Sequence, residues 1–84
     1  MNLKLQQLNQ YLIKPNPFND FIQISNLKEN VSLMIYDLNG KLVYAEPTYS
    51  FLDKKIDLSI LKKGYYLLIL RNSSTTKKYP IIKY

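Results

Sequence analysis

Cysteine, histidine and tryptophan are absent from this chain of 84 residues, and glycine occurs only twice. Without cysteine or histidine the chain has no disulfide, no thiol nucleophile, no imidazole base and none of the usual zinc sites. Its serines have no histidine with which to form a Ser-His-Asp arrangement. Gly40 and Gly64 are too few for a glycine-rich loop that cradles phosphate. We therefore expect a protein that is not an enzyme and that binds no cofactor.

The six acidic residues show no catalytic or metal-binding pattern. No spacing among them matches a calcium loop. Asp20, Asp37 and Asp57 fall at the ends of predicted strands or in turns, where Asp commonly accepts hydrogen bonds from neighbouring backbone amides. We interpret these carboxylates as structural, and we expect no metal site.

Arginine is also scarce, because eleven of the twelve basic residues are lysine, and the net charge is +6. The lysines are spread almost evenly along the chain, whereas the readout of bases and phosphates usually favours arginine. Scattered lysines on a β domain more often protect sheet edges and keep the protein soluble. We expect no nucleic-acid partner, although a small basic nucleic-acid-binding domain stays the third alternative.

No apolar run approaches the ~20 residues that a membrane-spanning helix needs. The N-terminus does not have the pattern of a signal peptide, because Gln6, Gln7, Asn9 and Gln10 interrupt the apolar stretch. If the domain is exported, we expect the export signal to lie on a longer parent chain. A chain of this length forms one domain with a thin core.

Short alternating segments make up most of the sequence. Strands are predicted at residues 11–14, 21–25, 31–38, 41–45, 56–59, 65–70 and 77–84. Asn39-Gly40 predicts a tight hairpin turn, and residues 47–53 predict a loop. Gly64 is expected at a positive φ in the corner before the run 65–70, which is apolar throughout and predicts a central strand covered on both faces. Pro80 predicts that the last strand is an edge strand or contains a bulge.

This pattern predicts an all-β fold, an immunoglobulin-like β-sandwich of about seven short antiparallel strands. The stretch from Leu61 through Gly64 to Tyr66 is similar to the tyrosine corner of such sandwiches, in which a tyrosine hydroxyl bonds back to the upstream backbone. Eight tyrosines could also form an outward-facing stacking surface, but tyrosine is a common strand residue, and we favour the interpretation that these tyrosines cover a thin core. The candidates for that surface are Tyr36, Tyr44, Tyr65 and Tyr79.

Four segments in chain order carry a resemblance to a known family. They are Pro15-Asn16-Pro17 with Asp20; the hairpin of residues 35–43 around Asp37, Asn39, Gly40 and Lys41; residues 56–66 with Gly64 and Tyr66; and the lysine-rich apolar end. Together they resemble the type A C-terminal sorting domain of the type IX secretion system. The resemblance covers about residues 10–84, so we expect a sorting domain over 10–84 and a linker or passenger tail over 1–9.

The resemblance implies a function in protein export. Family members carry this domain at the end of a passenger that reaches the periplasm with an ordinary signal peptide. Outer-membrane type IX secretion components then recognise the domain, among them a translocon-associated β-barrel shuttle protein. A sortase usually cleaves upstream of it, and the passenger ends at the cell surface or outside the cell. The main alternative is an immunoglobulin-like binding or adhesion module of a surface protein.

The resemblance also assigns roles to individual residues. The motif residues expected to shape turns are Pro15, Asn16, Pro17, Asp20, Asp37, Asn39, Gly40, Lys41, Gly64 and Tyr66. The terminal segment on which export depends would consist of Lys77, Lys78, Ile81, Ile82, Lys83 and Tyr84. An edge strand can add to a partner's sheet or pair with its own copy, so we place partner recognition there. If this edge strand is the recognition element, we expect that deleting the chain from Pro80 abolishes export and leaves the fold largely intact.

Overall fold

The computed structural model describes residues 12–25, 31–48 and 53–84. Seven antiparallel strands lie in these ranges, and they form two sheets. The three-stranded sheet has the order β1-β2-β5, with β1 at Leu12–Lys14, β2 at Phe21–Ser25 and β5 at Asp53–Asp57. The four-stranded sheet has the order β4-β3-β6-β7, with β4 at Leu42–Thr48, β3 at Val31–Asp37, β6 at Gly64–Arg71 and β7 at Thr76–Lys83.

One apolar core lies between the two sheets. Ile22, Ile24 and Ile56 enter it from the three-stranded sheet, and alternate residues of β3, β6 and β7 enter it from the other sheet. The side chains of a strand point to opposite faces in turn, so each strand contributes every second residue. The result is the β-sandwich that the sequence predicts, with the apolar faces of both sheets turned inward.

Most predicted strands are confirmed, and their boundaries differ where propensity is ambiguous. β2 agrees residue by residue with the prediction, and β1 lies within residues 11–14. β5 begins earlier than predicted, at Asp53, and β4 continues through Pro47 to Thr48, where a loop was predicted. The predicted tail at residues 1–9 lies outside the described residues.

The hairpin between β3 and β4 is longer than the predicted two-residue turn. The Gly40 N–H donates to the Asp37 carbonyl at 3.0 Å, and the Asp37 N–H donates to the Lys41 carbonyl at 2.9 Å. Gly40 has a φ of 80°, a conformation that costs a side-chain-bearing residue energy. The register then shifts between Ile35 and Tyr36, which places a bulge in the hairpin. Asn39-Gly40 therefore marks the turn correctly but does not determine its length.

The prediction that residues 65–70 are covered on both faces is wrong in part. β6 is central, between β3 and β7, and Tyr66, Leu68 and Leu70 are buried on its inner face. Leu67 and Ile69 on the other face are only partly buried, and Tyr65 is 60% exposed. The described residues of this sheet therefore cover the core on one side and leave an apolar surface on the other.

Proline occupies an outward-facing backbone position on each edge of the four-stranded sheet. The register of β6 with β7 is continuous from Gly64 opposite Lys83 to Arg71 opposite Thr76, so Pro80 introduces no bulge. Alternate residues of an edge strand direct their backbone groups outward, and both Pro80 in β7 and Pro47 in β4 fall at such positions. A proline there removes no hydrogen bond from the ladder and blunts the edge.

Candidate functional site

The side chain of Asn16 binds the outer edge of β7 in the way a neighbouring strand would. Its Nδ2 donates to the Pro80 carbonyl at 3.0 Å, and its Oδ1 accepts the Ile82 N–H at 3.0 Å. The two flanking prolines restrict the backbone here, and both of their peptide bonds are cis. The amide side chain thereby satisfies two backbone groups that would otherwise point to solvent.

Phe18 continues this contact along the same edge. Its N–H donates to the Ile82 carbonyl at 2.8 Å, and its carbonyl accepts the Tyr84 N–H at 3.0 Å, so that Phe18 forms a parallel bridge opposite Lys83. The Phe18 ring is fully buried in the core. The segment that enters the domain therefore holds the C-terminal strand by both backbone and side chain.

Lys83 anchors the end of β7 from the other side. It is 7% exposed and is the only buried charged residue in the described part of the chain. Its Nζ donates to the carbonyls of Leu58 at 2.8 Å and Ser59 at 2.9 Å. Burial of an ammonium group is costly unless it finds such partners, so this arrangement joins the last strand firmly to the corner after β5.

The corner that receives Lys83 is itself held by aspartates. The Leu58 N–H donates to the backbone carbonyl of Asp20 at 2.7 Å, and the Ser59 N–H donates to Asp57 Oδ1 at 2.9 Å. The Ser59 backbone N–H, followed by the Ser59 side chain, holds the pKa of Asp57 below its usual value. The charges of Lys83 and Lys55 act in the same direction, against the opposing effect of desolvation.

We name this set of contacts the C-terminal clamp: Asn16 and Phe18 on the outer edge of β7, and the Leu58 and Ser59 carbonyls around Lys83. Three segments that are far apart in sequence meet in it, at residues 16–20, 57–59 and 80–84. All three belong to the four segments that carry the family resemblance. The fold therefore explains these motifs as parts of one structure.

The other motif residues hold turns away from the clamp. Asp37 Oδ1 accepts the N–H groups of Asn39 and Lys41, each at 2.9 Å, as expected for an aspartate in a turn. The Tyr66 hydroxyl donates to the Lys62 carbonyl at 2.5 Å, which is the hydrogen bond predicted for a tyrosine corner. Gly64, just before it, has a φ of 145°.

The predicted recognition residues divide into two groups. Ile81 is 1% exposed and Lys83 is buried, so their side chains belong to the fold, whereas Lys78 and Tyr84 are exposed and Lys77 and Ile82 are partly buried. The expectation that deletion from Pro80 spares the fold is therefore wrong, because that deletion removes a core residue and the Lys83 anchor. Recognition by the exposed group stays a prediction.

The clamp also limits how β7 can pair with another strand. Asn16 and Phe18 already occupy the outer backbone groups of residues 80–84. Among the described residues, we find no such cover over the outward-facing backbone groups of Thr76 and Lys78. Addition of a partner strand along the whole of β7 would first have to displace the segment that contains Asn16.

Sequence reasoning missed the roles of Phe18 and Lys83. A signal for Lys83 exists in the two-residue period of β7, because Lys83 lies on the same face as the buried Ile81. Two of the four candidates for an outward-facing stacking surface cover the core instead. Tyr44 and Tyr79 pack against the core, and burial, followed by a hydrogen bond from the Tyr44 hydroxyl to Glu46, raises the pKa of Tyr44 to about 12.

The surface beside the clamp offers little for chemistry. A shallow cleft there is lined by Asp20, Phe21, Lys55, Asp57 and Ser59. The Lys55 ammonium lies 4.2 Å from the centre of the Phe21 ring. In ranges 12–25, 31–48 and 53–84, no group of three or more Asp or Glu residues could hold a metal ion. A helix able to cross a membrane is likewise not found among the described residues.

The fold and the clamp define a class of protein: a small all-β sandwich domain. Its last strand, β7, is held by residues 16–18 and by the corner after β5. A solved structure has the same fold. It contains PorZ, "an essential bacterial surface component of the type-IX secretion system" of Porphyromonas gingivalis, and matches with a TM-score of 0.73 at 18% identity. The match covers 99% of this chain but only 12% of that one, so this chain spans a small part of PorZ.

The family follows from the sequence. The profile of the family described as the secretion system C-terminal sorting domain matches residues 12–83. The chain belongs to this family, and the resemblance noted from its motifs is confirmed. No curated protein matches the chain.

Proposed function

We propose that this chain is a non-catalytic sorting signal that directs a passenger protein across the outer membrane by type IX secretion. The family match over residues 12–83 carries this proposal, since it extends over both sheets and the clamp. The absence of a catalytic arrangement from the sequence, which has no histidine or cysteine, agrees with a domain that is recognised rather than one that reacts.

The finer steps of the proposal come from the family resemblance. The passenger would pass through the periplasm, and the domain would be recognised by a translocon-associated β-barrel shuttle protein. A sortase would then cut upstream of the domain, and the passenger would remain at the cell surface or be released. The clamp supports a folded signal, because the C-terminal strand is bonded on both edges at residues 80–83.

A reporter experiment tests the proposal. The whole chain is fused to the end of a reporter that carries a signal peptide, and the fusion is expressed in cells with a working type IX system. We expect the reporter in the medium or on the cell surface. The matched control is the same fusion in cells with an inactivated translocon, where the reporter should stay in the periplasm. Periplasmic retention in both strains would refute the proposal.

A binding or adhesion module is the second candidate function. The observation that favours it is the position of Tyr36 and Tyr65 on the outer face of the four-stranded sheet, where aromatic rings can contact a ligand. A binding module works anywhere in a parent chain, whereas a sorting signal has to be terminal. Periplasmic retention of the reporter fusion in cells with a working type IX system would favour the binding module over the sorting signal.

A further inference from the structure

The outer face of the four-stranded sheet carries a continuous apolar surface. Its side chains are Met34, Tyr36, Tyr65, Leu67, Ile69 and Ile82, which we name the outer patch. They lie opposite one another in three rungs, Met34 with Ile69, Tyr36 with Leu67 and Tyr65 with Ile82. Tyr65 is 60% exposed and the other five are partly exposed. The patch therefore crosses the strands without interruption and is open to solvent.

Positive charge borders one end of the outer patch. Lys78 lies opposite Ile69 in the neighbouring strand, and Arg71 lies opposite Thr76 at the same end of the sheet. Both cations are exposed. Alternation along β3, β6 and β7 places no acidic side chain on this face. The outer patch is therefore complementary to a partner protein whose contact surface is apolar and carries carboxylates beside the two cations.

Both edges of the same sheet are blocked in part, which favours the face as a contact surface. Asn16 and Phe18 cover the outer edge of β7 at residues 80–84. Pro47 interrupts the donors along the outer edge of β4. A partner strand that adds along either whole edge therefore meets an obstacle, whereas a partner that binds the face contacts the side chains of the outer patch.

A second copy of the chain fits the patch poorly. The patch extends about 14 Å along the strands and about 10 Å across them, given ~3.4 Å per residue and ~4.8 Å between strands. Stable interfaces bury about 800 Å² on each partner, several times that area. The net charge of +6 also opposes self-association. A small contact of this kind suits a partner that binds the domain and later releases it.

We infer that the outer patch is the surface by which the export machinery recognises this domain, through an apolar protein surface bordered by carboxylates. The inference rests on the proposed function and moves recognition from the edge of β7 to the face of the sheet. Lys78 and Ile82, two of the predicted recognition residues, lie on this face. Two others, Ile81 and Lys83, are buried on the inner face of the same strand and hold β7 in the sandwich.

Charge substitutions at Tyr65 test the inference, because a residue that is 60% exposed can be replaced without loss of core packing. In the reporter fusion with the whole chain, we expect Tyr65→Glu to lower the exported fraction about tenfold, since it places a negative charge against carboxylates. Tyr65→Lys should lower it less. Lys78→Glu should also lower it several-fold, whereas Lys78→Arg should not.

Gln23→Glu is the matched control, because it adds the same charge to a partly exposed position of the three-stranded sheet. It should export like the unchanged chain, and urea unfolding of each variant should show that the fold is kept. Normal export of a folded Tyr65→Glu variant would overturn the inference and leave the proposed function standing. Failure of the unchanged chain to export would instead overturn the proposed function.

Two further outcomes decide the nature of the partner. If Tyr65→Glu and Tyr65→Lys lower the exported fraction equally, the inference that the partner surface carries carboxylates is overturned. Sedimentation of the isolated chain provides the other measurement. A dimer that Tyr65→Glu dissociates would identify a second copy as the occupant and overturn the inference, and a monomer would support it.

Discussion

Replacement of Lys83 by methionine separates an anchor from a recognition residue. Methionine has a similar length and keeps the apolar contacts of the stem, but it cannot donate to the Leu58 and Ser59 carbonyls. If Lys83 served only to contact a partner, the substitution would leave stability unchanged. Because the ammonium group is buried, we expect Lys83→Met to destabilise the fold itself.

The size of the effect follows from the two hydrogen bonds. A hydrogen bond to a charged group contributes roughly 1.5–3 kcal/mol, and the loss of the donor leaves the two carbonyls without this partner. The variant also avoids the cost of burying a charge, which offsets part of the loss. We therefore expect a net decrease of about 1–3 kcal/mol in the free energy of unfolding. In a domain of this size, each kcal/mol lowers Tm by about 4–8 °C.

Urea unfolding and thermal melting of the isolated chain measure this change. Lys78→Met is the matched control, because Lys78 lies on the same strand with its side chain exposed. A surface substitution of this kind should change stability by less than about 0.5 kcal/mol. Equal midpoints for the unchanged chain and Lys83→Met would refute the assignment of Lys83 as an anchor. A loss as large in Lys78→Met would show that charge removal, rather than burial, is responsible.

Three further predictions test other contacts. Asn16→Ala should lower the free energy of unfolding by about 1–2 kcal/mol and speed amide hydrogen exchange at Ile82, whereas Asn19→Ala, exposed and nearby, should do neither; unchanged exchange would contradict the clamp. Tyr66→Phe should cost about 1–2 kcal/mol in urea unfolding through loss of the bond to the Lys62 carbonyl, and an unchanged midpoint would argue against a tyrosine corner. The folded-state pKa of Asp57 is lowered, so its stabilising contribution is present above the unfolded pKa and is lost as pH falls through the folded one; Asp57→Asn should therefore reduce the loss of stability as pH falls below the unfolded Asp pKa of about 4, and an identical acid profile would contradict this.

The local elements of the fold could be predicted because their causes are local. Alternation in residues 31–38 predicts a strand there, and the structure places β3 at Val31–Asp37. The position of Tyr66 after Gly64 predicts a hydrogen bond from its hydroxyl to the upstream backbone, and the acceptor, the Lys62 carbonyl, is only four residues away. Both predictions are confirmed, because neither depends on how distant segments meet.

The length of the hairpin and the extent of β4 could not be predicted in the same way. Asn39-Gly40 is compatible with more than one turn, and the pairing of β3 with β4 selects the longer turn with a bulge. Pro47 has a strong preference for loops, but at an outward-facing edge position its missing N–H costs the sheet nothing. The preference of proline for loops is overridden here, because the pairing of β4 with β3 leaves Pro47 at a position where the sheet needs no N–H.

The sequence by itself determined the strand pattern, the absence of cysteine and histidine chemistry and the family, since each depends on residue types and their order along the chain. Only the tertiary structure decided the environment of the C-terminal residues. Lys83 reads as a charged surface residue in sequence, but contact with a corner 24 residues away buries it. Asn16 reads as a turn residue, yet it binds backbone groups 64 and 66 residues away. Such long-range contacts form when the two sheets and the loops between them close around one core, and no local pattern records them.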